Sequence, residues 1–235
     1  MNKPRIEPCT DTPQLRQEII AACLELSRLG FFIGTWGNIA VRIADGLLMT
    51  PSRMDYRVMT PDDLVVVSME GKTLRGNQLP SSELHLHRLL LLSRPDFGAT
   101  VHAHSPYASA VACAGRSLPV CVEDAAQIIG AEVHCSRYVR GGCHLDLARA
   151  AQEAIGPDAA AVLLANHGPV VGGRNLAEAL VAAQVLEKAA QVFVWANSLG
   201  GCRIIPEESV RAERERFLYK YGKAADTERE EAAGR

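Results

Sequence analysis

The chain is short of aromatic residues, 5% of 235, has no CxxC pair among its seven cysteines, lacks a glycine-rich phosphate loop with its lysine, and shows no excess of charge of one sign. Each absence closes off a class of function. With 25 Lys and Arg set against 27 Asp and Glu, and the basic residues scattered, there is neither a footprint for a phosphate backbone nor a surface on which bases stack, so nucleic acid is not an expected partner. An odd number of cysteines without paired spacing does not make a disulfide framework, and MNKPRIEPCTDT lacks the apolar core of a signal peptide. A reducing cytoplasm is the expected location. The most apolar long segment, 176 to 199, is interrupted by Glu178, Glu187 and Lys188, which are costly in hydrocarbon. It reads as a helix of a soluble protein, with no membrane partner.

What is present is ordinary globular material, 48% hydrophobic and 22% charged, in a length that suits one large core. The expected domain spans 1–222, with 223–235 a frayed tail. Leu15, Ile19, Ala22, Cys23, Leu26 and Leu29 recur at helical spacing, and Gly30 reads as the stop. NIAVRI and GLLMT around ADG predict an antiparallel hairpin, and TPDD predicts a capped helical turn before the strand LVVVSM. The spacing further predicts a helix over 80–94 with a serine cap, the strand GATVHAH, a short helix over 105–114, a helix over 144–155, the strand AAAVLLANH, a turn GPVVGGRN and a long helix from 175. In that last helix Ala182, Val185, Leu186, Ala189, Phe193 and Ala196 form the inner stripe, opposite Gln184, Glu187, Lys188 and Gln191. A charged helix, RAERERFLYKYG, follows. Hairpin turns within this alternation argue for an α/β domain with a largely antiparallel sheet.

The chemistry is concentrated in TVHAHSPYASA, residues 100–110. On a strand alternate side chains share a face, so His102 and His104 would point the same way and suit two ligands of one ion. His167 occupies a matching place in LLANHGPVV, at the polar end of an apolar strand and before a glycine. Three imidazoles with an open fourth position are what a catalytic divalent metal takes, zinc by default, with iron, cobalt or nickel also suited. A lone histidine is more often a satisfied structural group; three in matching contexts reverse that. His85 and His87, two apart on a helix, diverge by about 200° and cannot chelate one ion. His85, His134 and His144 read as surface residues, whereas His87 falls one turn after Glu83 and could support it. PSSE, 80–83, places two hydroxyls at a helix start, where an anion is favoured, although serine caps alone look the same. Glu83 could reach both a phosphate-bearing substrate and a metal; helix starts also attract glutamate through the dipole, and spacing does not separate the two readings. GTWGN, 34–38, reads as a tight turn with donors.

Taken together these motifs resemble the class II aldolase/adducin family over roughly residues 12–222. The pieces that carry the resemblance are GTWGNIAVR (34–42), LLMTPSRMDY (47–56), LPSSELHLH (79–87), VHAHSPYASA (101–110), ANHGPVV (165–171) and, more weakly, YKYG (219–222). The resemblance implies a three-layer α/β fold with a mainly antiparallel central sheet flanked by helices on both faces. It further implies one zinc per subunit, or manganese, cobalt or iron, at His102, His104 and His167, with Glu83 as acid/base and as a ligand when no substrate is bound. Phosphate would rest on Thr35, Gly37, Asn38, Ser52, Ser81 and Ser82. The assembly implied is a homotetramer with sites at subunit interfaces, to which a neighbour lends Tyr221. Three positions depart from the family: Arg53 stands where a phosphate-loop glycine is common, Ala40 replaces a frequent serine, and Glu123 replaces a tyrosine of the fuculose-phosphate enzymes, as in related dehydratases. The implied reaction is retro-aldol cleavage of a phosphorylated ketose, of L-fuculose, 5-deoxyribulose or 5-methylthioribulose 1-phosphate type, to dihydroxyacetone phosphate and an aldehyde. Tyr221 or Glu123 would serve the C4 hydroxyl and Glu83 the ene-diolate carbon. Dehydration, epimerisation and decarboxylation are the rivals within the family, and a non-catalytic scaffold is the rival outside it.

Overall fold

A computed structural model describes residues 5–219. Seven strands, β1 (Asn38–Ile43), β2 (Gly46–Met49), β3 (Val65–Val67), β4 (Thr73–Arg75), β5 (Ala99–His102), β6 (Ala161–Leu164) and β7 (Gly168–Gly173), form one sheet in the order β4-β3-β2-β1-β5-β7-β6. Every neighbouring pair runs antiparallel. Helices α1 (Pro13–Arg28), α2 (Leu84–Ser93), α3 (Pro106–Cys113), α4 (Glu123–Ile128), α5 (His144–Ala154), α6 (Leu176–Ser198) and α7 (Glu207–Tyr219) complete it, with a 3-10 turn at Pro61–Asp63.

The sheet is buried on both faces, so each strand divides its residues by period 2. Ile39, Val41, Ile43, Leu48, Val66, Ala99, Val101, Leu163 and Val171 join α1, α3, α4 and α6 in one core. Ala40, Leu47, Met49, Val65, Val67, Val162, Leu164 and Val170 join α2 and α5 in a second. This is the expected three-layer arrangement. The same alternation fixes the chemistry: Thr100 and His102, sharing a face on β5, lie on the α2 side, as does Asn38 across the β1–β5 ladder from His102.

Local sequence accounts for most of the elements. Thr12 caps α1 by accepting from the Leu15 N–H at 3.1 Å, Pro13 opens the helix, and Asn175 caps α6 through the Glu178 N–H at 2.9 Å. The ADG turn closes β1 onto β2 with Ile43 opposite Gly46. Gly46 has φ 145 and a Cβ there would meet the Val67 carbonyl at 2.2 Å, so only glycine fits.

Four expectations are corrected. GPVVGG is not a turn but β7, an inner strand between β5 and β6, whose glycines allow Phe97 and the first turn of α6 to approach the backbone. The helix expected from Pro80 begins only at Leu84: Pro80 bridges Pro51, and the Ser81 N–H donates to the Thr50 carbonyl at 3.2 Å, which holds 79–81 extended. The strand through His104 ends at His102, because the His104 N–H turns away from the sheet to the Phe31 carbonyl at 2.9 Å. Glu187 does not face solvent. It is 8% exposed, and its carboxylate accepts from the Tyr107 and Ala108 N–H groups at 2.8 and 2.9 Å, capping α3 from α6. The segment 114–143, given no elements by its sequence pattern, contains α4. Helix α6 is long and apolar enough to cross a membrane, but Leu176, Ala179, Ala182, Leu186, Ala190 and Phe193 are buried in the core. The expected tail, 223–235, lies outside the described residues.

Because Glu187 satisfies two otherwise orphaned N–H groups, Glu187→Ala is expected to lower unfolding free energy by about 2 kcal/mol. Urea denaturation measures it, and a change below about 0.5 kcal/mol would show that α3 holds its first turn unaided.

Candidate metal centre

His102 ends β5 and is fully buried, His104 follows two residues on, and His167 stands in the β6–β7 turn beside Asn166, which takes the left-handed φ of 57 that asparagine tolerates. Gly168, next in sequence, lies so close to the Ala103 carbonyl that a Cβ would meet it at 2.3 Å. This close packing brings the turn onto the end of β5. The three rings form a near-equilateral triangle, with centroids 4.8, 4.7 and 4.9 Å apart. One nitrogen of each lies within 4.8 Å of the others.

The Glu83 carboxylate closes the fourth side. One oxygen is 3.3 Å from His102 Nε2 and the other 3.5 Å from His167 Nε2, while His102 and His104 face each other through Nε2 at 3.1 Å. His102 Nδ1 lies 2.9 Å from the Pro169 carbonyl, to which it donates, leaving the Nε2 lone pair directed inward. Burial, with the neighbouring imidazoles, lowers His104 to about 3 and His167 to about 4, so both are neutral at pH 7. Burial alone would raise Glu83, but His102, the Asn38 amide, His167 and His87 outweigh it and hold the carboxyl at about 2. Three imidazole nitrogens and an ionised carboxylate in one pocket are a donor set for a borderline divalent cation.

Behind Glu83 stands a buried polar layer. Asn38 Nδ2 donates to Glu83 Oε2 at 2.7 Å, Asn38 Oδ1 meets His87 Nε2 at 2.5 Å, and His87 Nδ1 meets Thr100 Oγ1 at 2.7 Å. His87 is 0% exposed and burial lowers it to about 3. Its expected place one turn after Glu83 is what brings it here. Thr100 was legible only through the strand period that pairs it with His102, and the Pro169 carbonyl carried no sequence signal.

The other predicted residues arrange as follows. Ser52 and Ser81 are joined through the Ser52 N–H to Leu79 carbonyl bond at 2.9 Å and the Pro51–Pro80 bridge, and Ser81 Oγ accepts from the Glu83 N–H at 3.2 Å. Tyr56 OH donates to the Gly37 carbonyl, tying the loop of Thr35, Gly37 and Asn38 to the 52–56 segment. Thr35 and Ser82 are exposed beside these seams. Trp36, read only as part of a turn, lies 65% exposed with its ring near-parallel to His104 at 6.4 Å. Arg53 has φ 58, the conformation that explains a glycine preference there. Glu123 is the first residue of α4 and exposed, and none of the hydrogen bonds or ion pairs drawn around the histidines reaches it. Tyr221 lies outside the described residues. His134 is exposed; His85 is half-buried, and His144 opens α5 rather than sitting in a loop, near enough to influence both His85 and His167.

The family described as Class II Aldolase and Adducin N-terminal domain matches residues 17–194. The chain is 35% identical over 204 residues to a 5-deoxy-D-ribulose 1-phosphate aldolase of Bacillus thuringiensis serovar kurstaki, covering 86% of this chain and 94% of the relative. It is 36% identical over 207 residues to a 5-methylthioribulose-1-phosphate/5-deoxyribulose-1-phosphate aldolase of Rhodospirillum rubrum, covering 88% and 90%. A solved L-fuculose 1-phosphate aldolase superposes with a TM-score of 0.83 at 31% identity, covering 88% of this chain and 98% of that one.

His87, His104 and His167 stay neutral when folded but take up protons near 6.5 once the chain unfolds. Their contribution to stability is whole above about pH 6.5 and drains as pH falls toward about 4. Urea midpoints of metal-free protein should therefore be lower at about pH 5 than at about pH 7.5. The fall should be smaller in His87→Leu, and equal falls in both proteins would contradict the burial of a neutral His87.

Proposed function

Because the chain belongs to the class II aldolase and adducin family, we propose that it is a divalent-metal aldolase that cleaves a ketose 1-phosphate into dihydroxyacetone phosphate and an aldehyde. The observation that carries this reading is the convergence of three imidazole nitrogens on a carboxylate that touches two of them. A non-catalytic scaffold has no use for that arrangement. The names of the relatives, aldolases of 5-deoxyribulose, 5-methylthioribulose and fuculose phosphates, support a sugar phosphate with a short or apolar aldehyde end.

His102, His104 and His167 would hold the cation, zinc by preference, and Glu83 would complete its shell before substrate arrives. When bound, the cation supplies Lewis acidity, drawing off the negative charge that accumulates as the bond between C3 and C4 breaks. The rest is done by side chains. Thr35, Gly37, Asn38, Ser52, Ser81 and Ser82 would bind phosphate through hydroxyls and N–H groups, which fixes the C1 end and points the ketone toward the histidines. Glu83 would stand beside C3: in the condensation direction its ionised carboxylate would take the C3 proton of dihydroxyacetone phosphate, and in cleavage, having first taken a proton from water, it would deliver that proton to C3 after the aldehyde departs, while the C4 hydroxyl proton leaves through the second base. The proton on the C4 hydroxyl needs a second base, for which Glu123 and Tyr221 are the candidates. Exposed Glu123 fits this role only if another subunit supplies it, in keeping with a homotetramer whose sites lie at interfaces. Trp195, Leu199 and Ile204, 54%, 88% and 64% exposed near the end of α6, are apolar surface for such contacts.

Glu83→Gln is expected to keep about one equivalent of metal and to lose about 10²–10⁴-fold in kcat. His104→Ala should lose both metal and turnover. The decisive assay incubates the metal-loaded protein with a panel of ketose 1-phosphates, detecting dihydroxyacetone phosphate enzymatically and loss of water or carbon dioxide by mass spectrometry. Release of water or carbon dioxide without triose phosphate would replace the aldolase reading with one of its rivals.

A further inference from the structure

The buried chain behind Glu83 has a direction, and only one direction satisfies every member. A carboxylate only accepts, so the Asn38 amide must turn its Nδ2 to Glu83 and its Oδ1 away. Oδ1 also only accepts, so the nitrogen 2.5 Å from it, His87 Nε2, carries the hydrogen. A neutral imidazole has one N–H; Nδ1 is then an acceptor, and the Thr100 hydroxyl 2.7 Å away must donate to it. We propose that Thr100, His87 and Asn38 form a polarised hydrogen-bond chain, from Thr100 O–H through the Nε2–H tautomer of His87, that locks the Asn38 amide and so aims an N–H at Glu83. His87 is on this view a positioning residue that never touches substrate.

Three features make the chain effective. It is dry: His87 and Thr100 are 0% exposed and Asn38 6%, so water does not compete for its members. It is anchored on separate elements, since Asn38 and Thr100 lie on the paired strands β1 and β5 while His87 and Glu83 share one face at the start of α2. It also bridges two regions, because Asn38 adjoins the loop assigned to phosphate. Its Nδ2 has a second hydrogen, and with Oδ1 fixed by His87 the amide cannot flip to present oxygen to an anion. One asparagine thereby holds Glu83 and offers a donor to phosphate at once. Without His87 the buried Asn38 Oδ1 loses its donor, and the amide, held then by Glu83 alone, no longer fixes the carboxylate's direction.

The kinetic part of this inference rests on the aldolase reading; the tautomer does not, and two measurements separate them. Long-range proton–nitrogen correlation spectra of metal-free, full-length protein at about pH 7, with the His87 ring identified by its loss in His87→Leu, should show the Nε2–H tautomer. An Nδ1–H tautomer or an imidazolium would overturn the proposal whatever the enzyme's substrate. In the metal-loaded enzyme, His87→Leu should reduce kcat about 10–100-fold while KM moves less than about 3-fold and metal stoichiometry is kept. His87→Gln, whose amide can supply a donor from the same helix position, should recover most of that loss. Equal losses in the two variants, or loss of thermal stability without loss of kcat, would reduce His87 to a packing residue. If His87→Leu does not fold, the near-isosteric Thr100→Val takes its place: it removes the hydroxyl donor and should shift the Nδ1 nitrogen resonance toward that of an unbonded acceptor while Nε2 keeps its hydrogen, with a several-fold lower kcat, whereas unchanged spectra and rate would overturn the chain.

Discussion

Everything at the site depends on one constraint, the close approach of three imidazole lone pairs and a carboxylate charge in a water-poor space. Each group alone would rather face solvent. His102 and His104 meet nitrogen to nitrogen at 3.1 Å, a contact tolerable only if a proton or a cation lies between them. The surrounding packing is what prevents the rings from turning away from one another.

That packing begins with the antiparallel sheet. The inner position of β5, flanked by β1 and β7, fixes His102 with ladder bonds on both sides, and the β6–β7 turn delivers His167 to the same end of the sheet. Helix α2 arrives across one face with Glu83 at its start. The site is thus assembled from residues distant in sequence but placed by backbone pairing, which is the most rigid support a fold provides. The seams between 50–52 and 79–81, and between Tyr56 and Gly37, draw the polar loops to the rim of this same end.

Much of this could be read from the residues. The period that sets Thr100 and His102 on one face of β5, the glycine after His167 and the helical offset from Glu83 to His87 each have a direct geometric meaning, and the hairpin at ADG announced its own turn, whereas His104 reaches the site from beyond the strand's end. What escaped was decided by contacts between distant segments. Glycines in GPVVGG imitate a loop until Phe97 and α6 are seen packed on them. Glu187 sits at helical spacing among polar neighbours and looks solvated; only the docking of α3 against α6 shows that its charge faces inward. PSSE has the pattern of a helix start, yet pairing with 50–51 holds Pro80 and Ser81 extended and a turn through Ser82 and Glu83 delays the helix to Leu84. No local pattern could reveal that Arg53 would accept a left-handed backbone.

The carboxylate of Glu187 has one more implication. It grips α3 at Tyr107 and Ala108, three and four residues beyond His104, while its own helix runs 23 residues along the outside of the sheet. The seat of the His104 imidazole is consequently referenced to a long beam whose far end reaches the apolar surface at Leu199. Whatever shifts that end of the helix is therefore carried along it, through two hydrogen bonds, to the first turn of α3 and the backbone that follows His104.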